Sequence, residues 1–179
     1  LGRDCPGSFL LRAVPSLLAL AITGAAALPA LAQQAREPQL VVTGTVGAPD
    51  GISLASENDD LSALLFRDNG NNTIWLRTSD GRGLSWNAPI RLDDDATGAP
   101  KSSASHSLVV DGMRLYAAWL DERNGANDDI YFTASLDGGA TWSPANIRLD
   151  DSASAGARDV KDFRIASSGN DVVALLSVE

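Results

Sequence analysis

The chain holds one cysteine, Cys5, and one histidine, His106, among its 179 residues. A single thiol closes no internal disulfide, so the fold must be held by a packed core rather than by a disulfide framework. A lone histidine with no cysteine or second histidine beside it argues against a zinc site, and no motif supports a Ser-His-Asp triad. Basic residues are scarce too: 14 Lys and Arg stand against 23 Asp and Glu, a formal net charge of -9. Such an acidic body repels a nucleic-acid backbone or an anionic membrane surface, and no nucleic-acid partner is expected. Glycine-rich phosphate loops are missing, as is any calcium ladder of spaced Asp and Asn, so no cofactor and no metal is expected. The acidic runs Asp93-Asp94-Asp95, Asp128-Asp129 and Asp150-Asp151 are therefore read as solvated loop charge.

What is present begins with an apolar run from Val14 to Leu31, preceded by Arg3 and Arg12 and ending in Ala30-Leu31-Ala32. That is the order of a signal peptide over 1–32, with the small-x-small pattern at which a signal peptidase cuts. Pro15 and Pro29 bracket the run, Gly24 interrupts it, and Gln33-Gln34 follows without a basic stop-transfer cluster, so no stable membrane anchor is expected. Cys5 precedes the run instead of following it, which argues against a lipoprotein anchor. The expected compartment is periplasmic or extracellular. The whole sequence is 44% hydrophobic and 21% charged, a globular composition. The chain after the leader is expected to start with a lead-in and first-strand region at 33–60.

An internal repeat governs the rest. Ile74-Trp75-Leu76-Arg77-Thr78-Ser79, then Gly83-Leu84-Ser85-Trp86, then Ile90-Arg91-Leu92-Asp93-Asp94 recurs as Ile130-Tyr131-Phe132-Thr133-Ala134-Ser135, Gly139-Ala140-Thr141-Trp142 and Ile147-Arg148-Leu149-Asp150-Asp151. Ahead of each copy lies a matching strand, Leu61 to Asp68 and Leu115 to Asp121, and a third begins at Asp171 with Glu179 expected at the place of Asp121. The segments are short, rich in β-branched and aromatic residues, and bounded by Gly, Asn and Asp, as strands joined by hairpins are. No sustained 3.6-residue apolar period occurs after the leader, so the fold class is all-β. Four short strands in a period in the fifties suit the blade of a β-propeller, with a β-sandwich carrying a duplicated hairpin as the rival. Residues 61–179 are thus expected to form a partial propeller of about two to two and a half blades, and the sequence reads as a fragment.

The second hairpin, Ser135-Leu136-Asp137-Gly138-Gly139-Ala140-Thr141-Trp142, resembles in full the Asp-box, or bacterial neuraminidase repeat. Its chemistry suits a tight turn: Asp137 accepts from backbone amides ahead of it, and Gly138 or Gly139 takes positive φ without a Cβ clash. The first copy keeps Ser79, Gly83, Ser85 and Trp86 but carries Gly81 where the aspartate belongs, with Asp80 one position early. Trp119-x-Asp121-x-Arg123-x-Gly125 also looks like the segment that precedes Asp-boxes in exported sialidase-like proteins. The resemblance runs from about Leu61 to Glu179 and implies a sialidase-type propeller in which the box residues, Asp137 included, are structural and lie away from the catalytic face.

Members of the sialidase-like superfamily clamp a substrate carboxylate with three arginines, whose planar forks match it, and use a tyrosine nucleophile. Phe163-Arg164-Ile165-Ala166 resembles the family's Phe-Arg-Ile-Pro motif, with Ala166 in place of proline and two boxes ahead of it instead of none. Arg164 is thus the one catalytic candidate, and the alternative is an ordinary strand residue in the place that Ser107 takes one repeat earlier. Asp59, Asp60 and Asp68 are available acids that no spacing singles out. The implied function is an exported glycoside hydrolase of the exo-α-sialidase type acting on sialylated or related glycans; the alternative is a non-catalytic propeller that binds glycans or proteins.

Overall fold

Among the described residues, ten strands, all paired antiparallel, build three separate sheets, and no helix occurs. The structure, a computed structural model, describes residues 49–57, 61–80, 83–95, 102–150 and 153–179, with the backbone alone at 102–104. The leader expected at 1–32 and the lead-in up to 48 lie outside the described residues, as do Asp59 and Asp60.

The first sheet runs in chain order through β1 (Pro49–Glu57), β2 (Leu61–Asp68), β3 (Thr73–Ser79) and β4 (Ile90–Arg91). The second repeats it through β5 (Ser102–Asp111), β6 (Arg114–Asp121), β7 (Asp129–Ser135) and β8 (Ile147–Arg148). The third contains β9 (Val160–Ser168) and β10 (Asp171–Val178). The two tryptophan-ended hairpins thus occupy the same place in two distinct sheets, and one continuous sandwich is not formed. Neither a closed barrel nor a closed ring is present among the described residues. The first sheet takes its opening strand from the lead-in region, ahead of Leu61.

Local chemistry explains why the repeat has this period. Two-residue loops close β5–β6 and β9–β10, each starting on a glycine at positive φ, Gly112 at 61° and Gly169 at 62°, which suits the right-handed twist of the flanking strands. The second strands of the first two sheets end on aspartates that hold the next turn: Asp68 Oδ1 accepts from the Gly70 amide at 2.9 Å, and Asp121 Oδ1 from the Arg123 amide at 2.9 Å. In the third sheet Val178, not Glu179, takes that place, because Asp171 opens β10 as Arg114 opens β6. The shared Ile-Arg-Leu-Asp run makes the short fourth strand. Leu92 and Leu149 donate to the Ile74 and Ile130 carbonyls at 2.8 and 2.9 Å, while Arg91 and Arg148 pair with Asp93 and Asp150 two residues on.

Alternation along β6 places its two faces in two cores. Leu115, Ala117 and Trp119 pack with Leu61, Ala63, Leu65 and Leu76 of the first sheet. Tyr116, Ala118 and Leu120 pack with Val160, Phe163 and Ile165 of the third. Full burial of each Leu or Ile contributes about 1.5–3 kcal/mol, so these two layers, with no disulfide, are the main source of stability. Trp119 is wholly buried and its indole N–H is satisfied, donating to Asp121 Oδ2 at 3.2 Å.

Candidate functional site

The Asp-box turn is built around two side chains. Ser135 Oγ, at the end of β7, accepts from the Gly139 amide at 2.9 Å and donates to Asp137 Oδ1 at 2.8 Å. Asp137 then accepts from the Thr141 amide at 2.8 Å and from the Thr141 hydroxyl at 2.6 Å. These Thr141 and Ser135 donors pull the Asp137 carboxyl down to about 2. Gly138 and Gly139 both take positive φ, 72° and 91°. Trp142 donates from its indole nitrogen to the Gly139 carbonyl at 3.1 Å and lays its ring on the core between the first two sheets. The degenerate copy keeps half of this: Gly83, at φ 74°, donates to Ser79 Oγ at 3.1 Å, and Trp86 is half-buried beside it. Ser85 is exposed. The Gly138 amide donates to the Met113 carbonyl at 2.7 Å, so the box sits beside the β5–β6 turn.

The acidic runs differ from the expectation of solvated charge, since Asp93, Asp95, Asp129 and Asp150 are all buried. The reason is the local supply of donors. Asp93 accepts from the Ile74 amide at 2.8 Å and pairs with Arg91; Asp129 accepts from Asn124 Nδ2 at 2.8 Å and from the Gly156 amide at 3.0 Å; Asp150 pairs with Arg148 at 2.7 Å. Asp94 joins the sheets, accepting from the Asn146 amide at 2.8 Å and from Arg123 Nη1 at 2.5 Å. Arg123 also pairs with Asp121 at 2.8 Å and lies 3.9 Å from the centre of the Tyr131 ring. Burial lowers the Arg123 pKa, but the hydrogen bonds to Asp121 and Asp94 outweigh it, so the net shift is upward.

A cleft of about 560 Å³ opens along the first strands of the three sheets, lined by Ile52, Ser53, His106, Ser107, Asp162 and Arg164 among others. Arg164 stands on β9 with Phe163 and Ile165 buried on either side, so the apolar-charged-apolar pattern is that of a strand with one covered face. It pairs with Leu175 as Ser107 pairs with Ala118, which is the repeat position expected of an ordinary strand residue. Its side chain is nonetheless 73% exposed, and Nη1 donates to Asp162 Oδ1 at 2.7 Å. Of the other candidates, only Asp68 lies among the described residues, and it does not line this cleft. Asp68 is buried and holds the turn after β2, accepting from Gly70 and Asn71. Both tyrosines serve the framework: the Tyr116 hydroxyl donates to the Gly169 carbonyl at 3.1 Å, and the Tyr131 hydroxyl accepts from Asn124 Nδ2 at 2.6 Å.

His106 is the cleft residue that sequence reasoning missed. Its Nε2 lies 2.7 Å from the Gly51 carbonyl, which can only accept, so Nε2 carries the proton. Nδ1 is then free to accept from the Ser53 hydroxyl at 2.9 Å. Burial lowers the His106 pKa more than the Gly51 carbonyl and Asp50 raise it, which favours this neutral tautomer. The imidazole thus pins β1 to β5. The available signal was alignment of His106-Ser107-Leu108 with Phe163-Arg164-Ile165, which puts the only histidine at an inward-facing strand position. Among the described residues the cleft offers the Arg164 guanidinium with the Asp162 carboxylate on it, serine hydroxyls, and a neutral imidazole already hydrogen-bonded at both nitrogens. In comparison with known proteins, the chain matches no family model and no curated protein.

Proposed function

We propose that this chain contributes modules of a sialidase-like β-propeller, exported from the cytoplasm, that acts on sialylated or related acidic glycans as an exo-α-sialidase-type glycoside hydrolase. The observation that carries this reading is the placement of Arg164: an exposed guanidinium on the first strand of a repeated antiparallel sheet, opening into a cleft shared by three such strands. A guanidinium there can meet a sugar carboxylate with two parallel hydrogen bonds once it exchanges Asp162 for the ligand. The full Asp-box in the second sheet, its geometry complete, supports the same family, and the meander order of the sheets supports propeller blades.

A second reading, a non-catalytic propeller that binds acidic glycans, is favoured by one observation. The hydroxyls of Tyr116 and Tyr131 are both engaged in the framework, so neither stands ready as a nucleophile. The test is a fluorogenic sialoside assay on the complete protein alongside a sialyllactose titration followed by saturation-transfer NMR. Turnover lost in Arg164→Ala supports the hydrolase. Binding without turnover, lost in the same variant, supports the second reading. Neither turnover nor binding, or both unchanged in Arg164→Ala, overturns the assignment of this cleft.

A further inference from the structure

The cleft holds a pair of side chains that glycan hydrolysis around Arg164 leaves unused. Ser53 on β1 and His106 on β5 belong to different sheets, yet Ser53 Oγ donates to His106 Nδ1 at 2.9 Å. The other ring nitrogen, Nε2, is fixed by the Gly51 carbonyl at 2.7 Å. A hydroxyl on one nitrogen of a neutral imidazole, with an acceptor orienting the other, is the arrangement that activates a serine nucleophile. Here a main-chain carbonyl stands where a triad has its carboxylate.

The surroundings suit that chemistry. Both residues line the cleft and neither is fully buried, so the hydroxyl is open to an incoming acyl carbon. Burial holds the His106 pKa below 6.5, which keeps the ring neutral and basic at pH 7. Once the ring takes a second proton, the Gly51 carbonyl and the Asp50 charge both favour the imidazolium. Asp50 is itself paired with Arg67 at 3.1 Å, and the two charged residues that line the cleft, Asp162 and Arg164, pair with each other. A competing acceptor for the Ser53 proton, the His106 carbonyl, lies farther off at 3.3 Å.

We propose that Ser53 and His106 form a nucleophile–base dyad that hydrolyses short-chain carboxylic esters in this cleft. Ser53 Oγ bonds to the acyl carbon while its proton passes to His106 Nδ1. The ester C–O bond then breaks, and the departing alcohol takes that proton, leaving the acyl group on Ser53. Water next gives a proton to His106 Nδ1 and adds its oxygen to the acyl carbon. The bond to Ser53 Oγ breaks, Oγ recovers the proton, and the carboxylic acid departs. Ester and water thus yield acid and alcohol with no other reactant. Half-burial of Ser53 beside the imidazole limits the acyl group to a short one. The proposal stands on the geometry of the dyad and does not depend on what Arg164 holds.

Hydrolysis of p-nitrophenyl acetate and p-nitrophenyl palmitate by the full chain tests it, together with labelling by a fluorophosphonate and peptide mapping of the labelled residue. The acetate should be turned over and the palmitate should not. The rate should be half-maximal below pH 6.5, where His106 loses its proton, and level from about pH 7 upward. Ser53→Ala and His106→Gln should each lower it about a hundredfold or more. The fluorophosphonate should attach to Ser53 in the parent chain, a readout that no variant's folding affects. An acetate rate no higher than that of a folded Ser53→Ala chain, a rate that climbs steadily with pH above 8, or a parent chain unlabelled at Ser53 overturns the dyad. Palmitate turned over as fast as acetate overturns the substrate class.

Discussion

Asp137 grips Thr141 twice, taking the backbone N–H on Oδ1 at 2.8 Å and the hydroxyl on Oδ2 at 2.6 Å. Both bonds are made to the charged carboxylate, which is why its pKa falls to about 2 from the ordinary 3.8. A folded-state value below the unfolded one gives stability that is present above pH 3.8 and is lost as the pH falls toward 2. Asp137→Asn should therefore lower the thermal midpoint at pH 7, and the gap between the two proteins should close as the pH approaches 2. A gap that stays constant down to pH 2 would show that the turn does not use the charge.

Glycine is required at Gly139 for two reasons and at Gly112 for one. A Cβ on Gly139 would stand 3.0 Å from Thr78 Cγ2 and 3.2 Å from Leu115 Cδ1, with φ at 91°, whereas a Cβ on Gly112 meets nothing within 4 Å and only the positive φ of 61° opposes it. Gly112→Ala should cost about 1–2 kcal/mol from backbone strain. Gly139→Ala should cost about 1–3 kcal/mol more, because the first sheet must give way. Urea melts of the two variants check this, and equal losses would mean that the box is not packed against the first sheet.

Arg123 stitches the first two sheets together through Asp94 and Asp121 while its guanidinium covers the Tyr131 ring. Asp121 is fully buried but keeps the Trp119 indole and the Arg123 backbone amide as donors when the guanidinium is removed, so the loss is that of a charge-assisted hydrogen bond, about 1.5–3 kcal/mol. Arg123→Met should lose about that much in chemical denaturation. Asp94→Ala, at a more exposed carboxylate, should lose clearly less. Equal losses would place the stability in the Asp94 contact and not in the buried pair.

The repeat was legible because each copied residue has a job in the backbone. Ile-Arg-Leu-Asp builds a fourth strand with its own ion pair, Ser135 and Gly139 close a turn, and Trp142 seals two sheets, so the same physics left the same letters twice. Burial of the acidic runs is not written in the runs themselves, because it depends on donors that arrive from elsewhere in the chain, such as the Gly156 amide at Asp129 and the Ile74 amide at Asp93. β1 falls within the first-strand region expected at 33–60, but it carries no box and no tryptophan, so nothing in its letters announced its register with β2. The pin between Ser53 and His106 was hidden for the same reason. It joins residues 53 positions apart that share no motif.

Two groups titrate in opposite senses within one pH window and can be separated. His106 has its folded-state pKa lowered from 6.5 by burial, so the unfolded chain takes up that proton first and stability falls as the pH drops below 6.5, levelling off beneath the folded-state value. Asp128 behaves oppositely. Burial, reinforced by Glu122, Asp159 and Asp121, raises it from 3.8 to about 6, and its Oδ1 is buried with no hydrogen-bond partner among the described residues. The folded chain takes up that proton first, so acidification from about 6 to 3.8 relieves a penalty that is in full force at neutral pH. Asp128→Asn should accordingly raise the thermal midpoint at pH 7, with the gain vanishing by about pH 4. His106→Gln should remove the loss that begins near pH 6.5. Melting curves of both variants between pH 4 and 8 decide the matter: a destabilised Asp128→Asn at pH 7, or a His106→Gln curve parallel to the parent throughout, would refute the corresponding assignment.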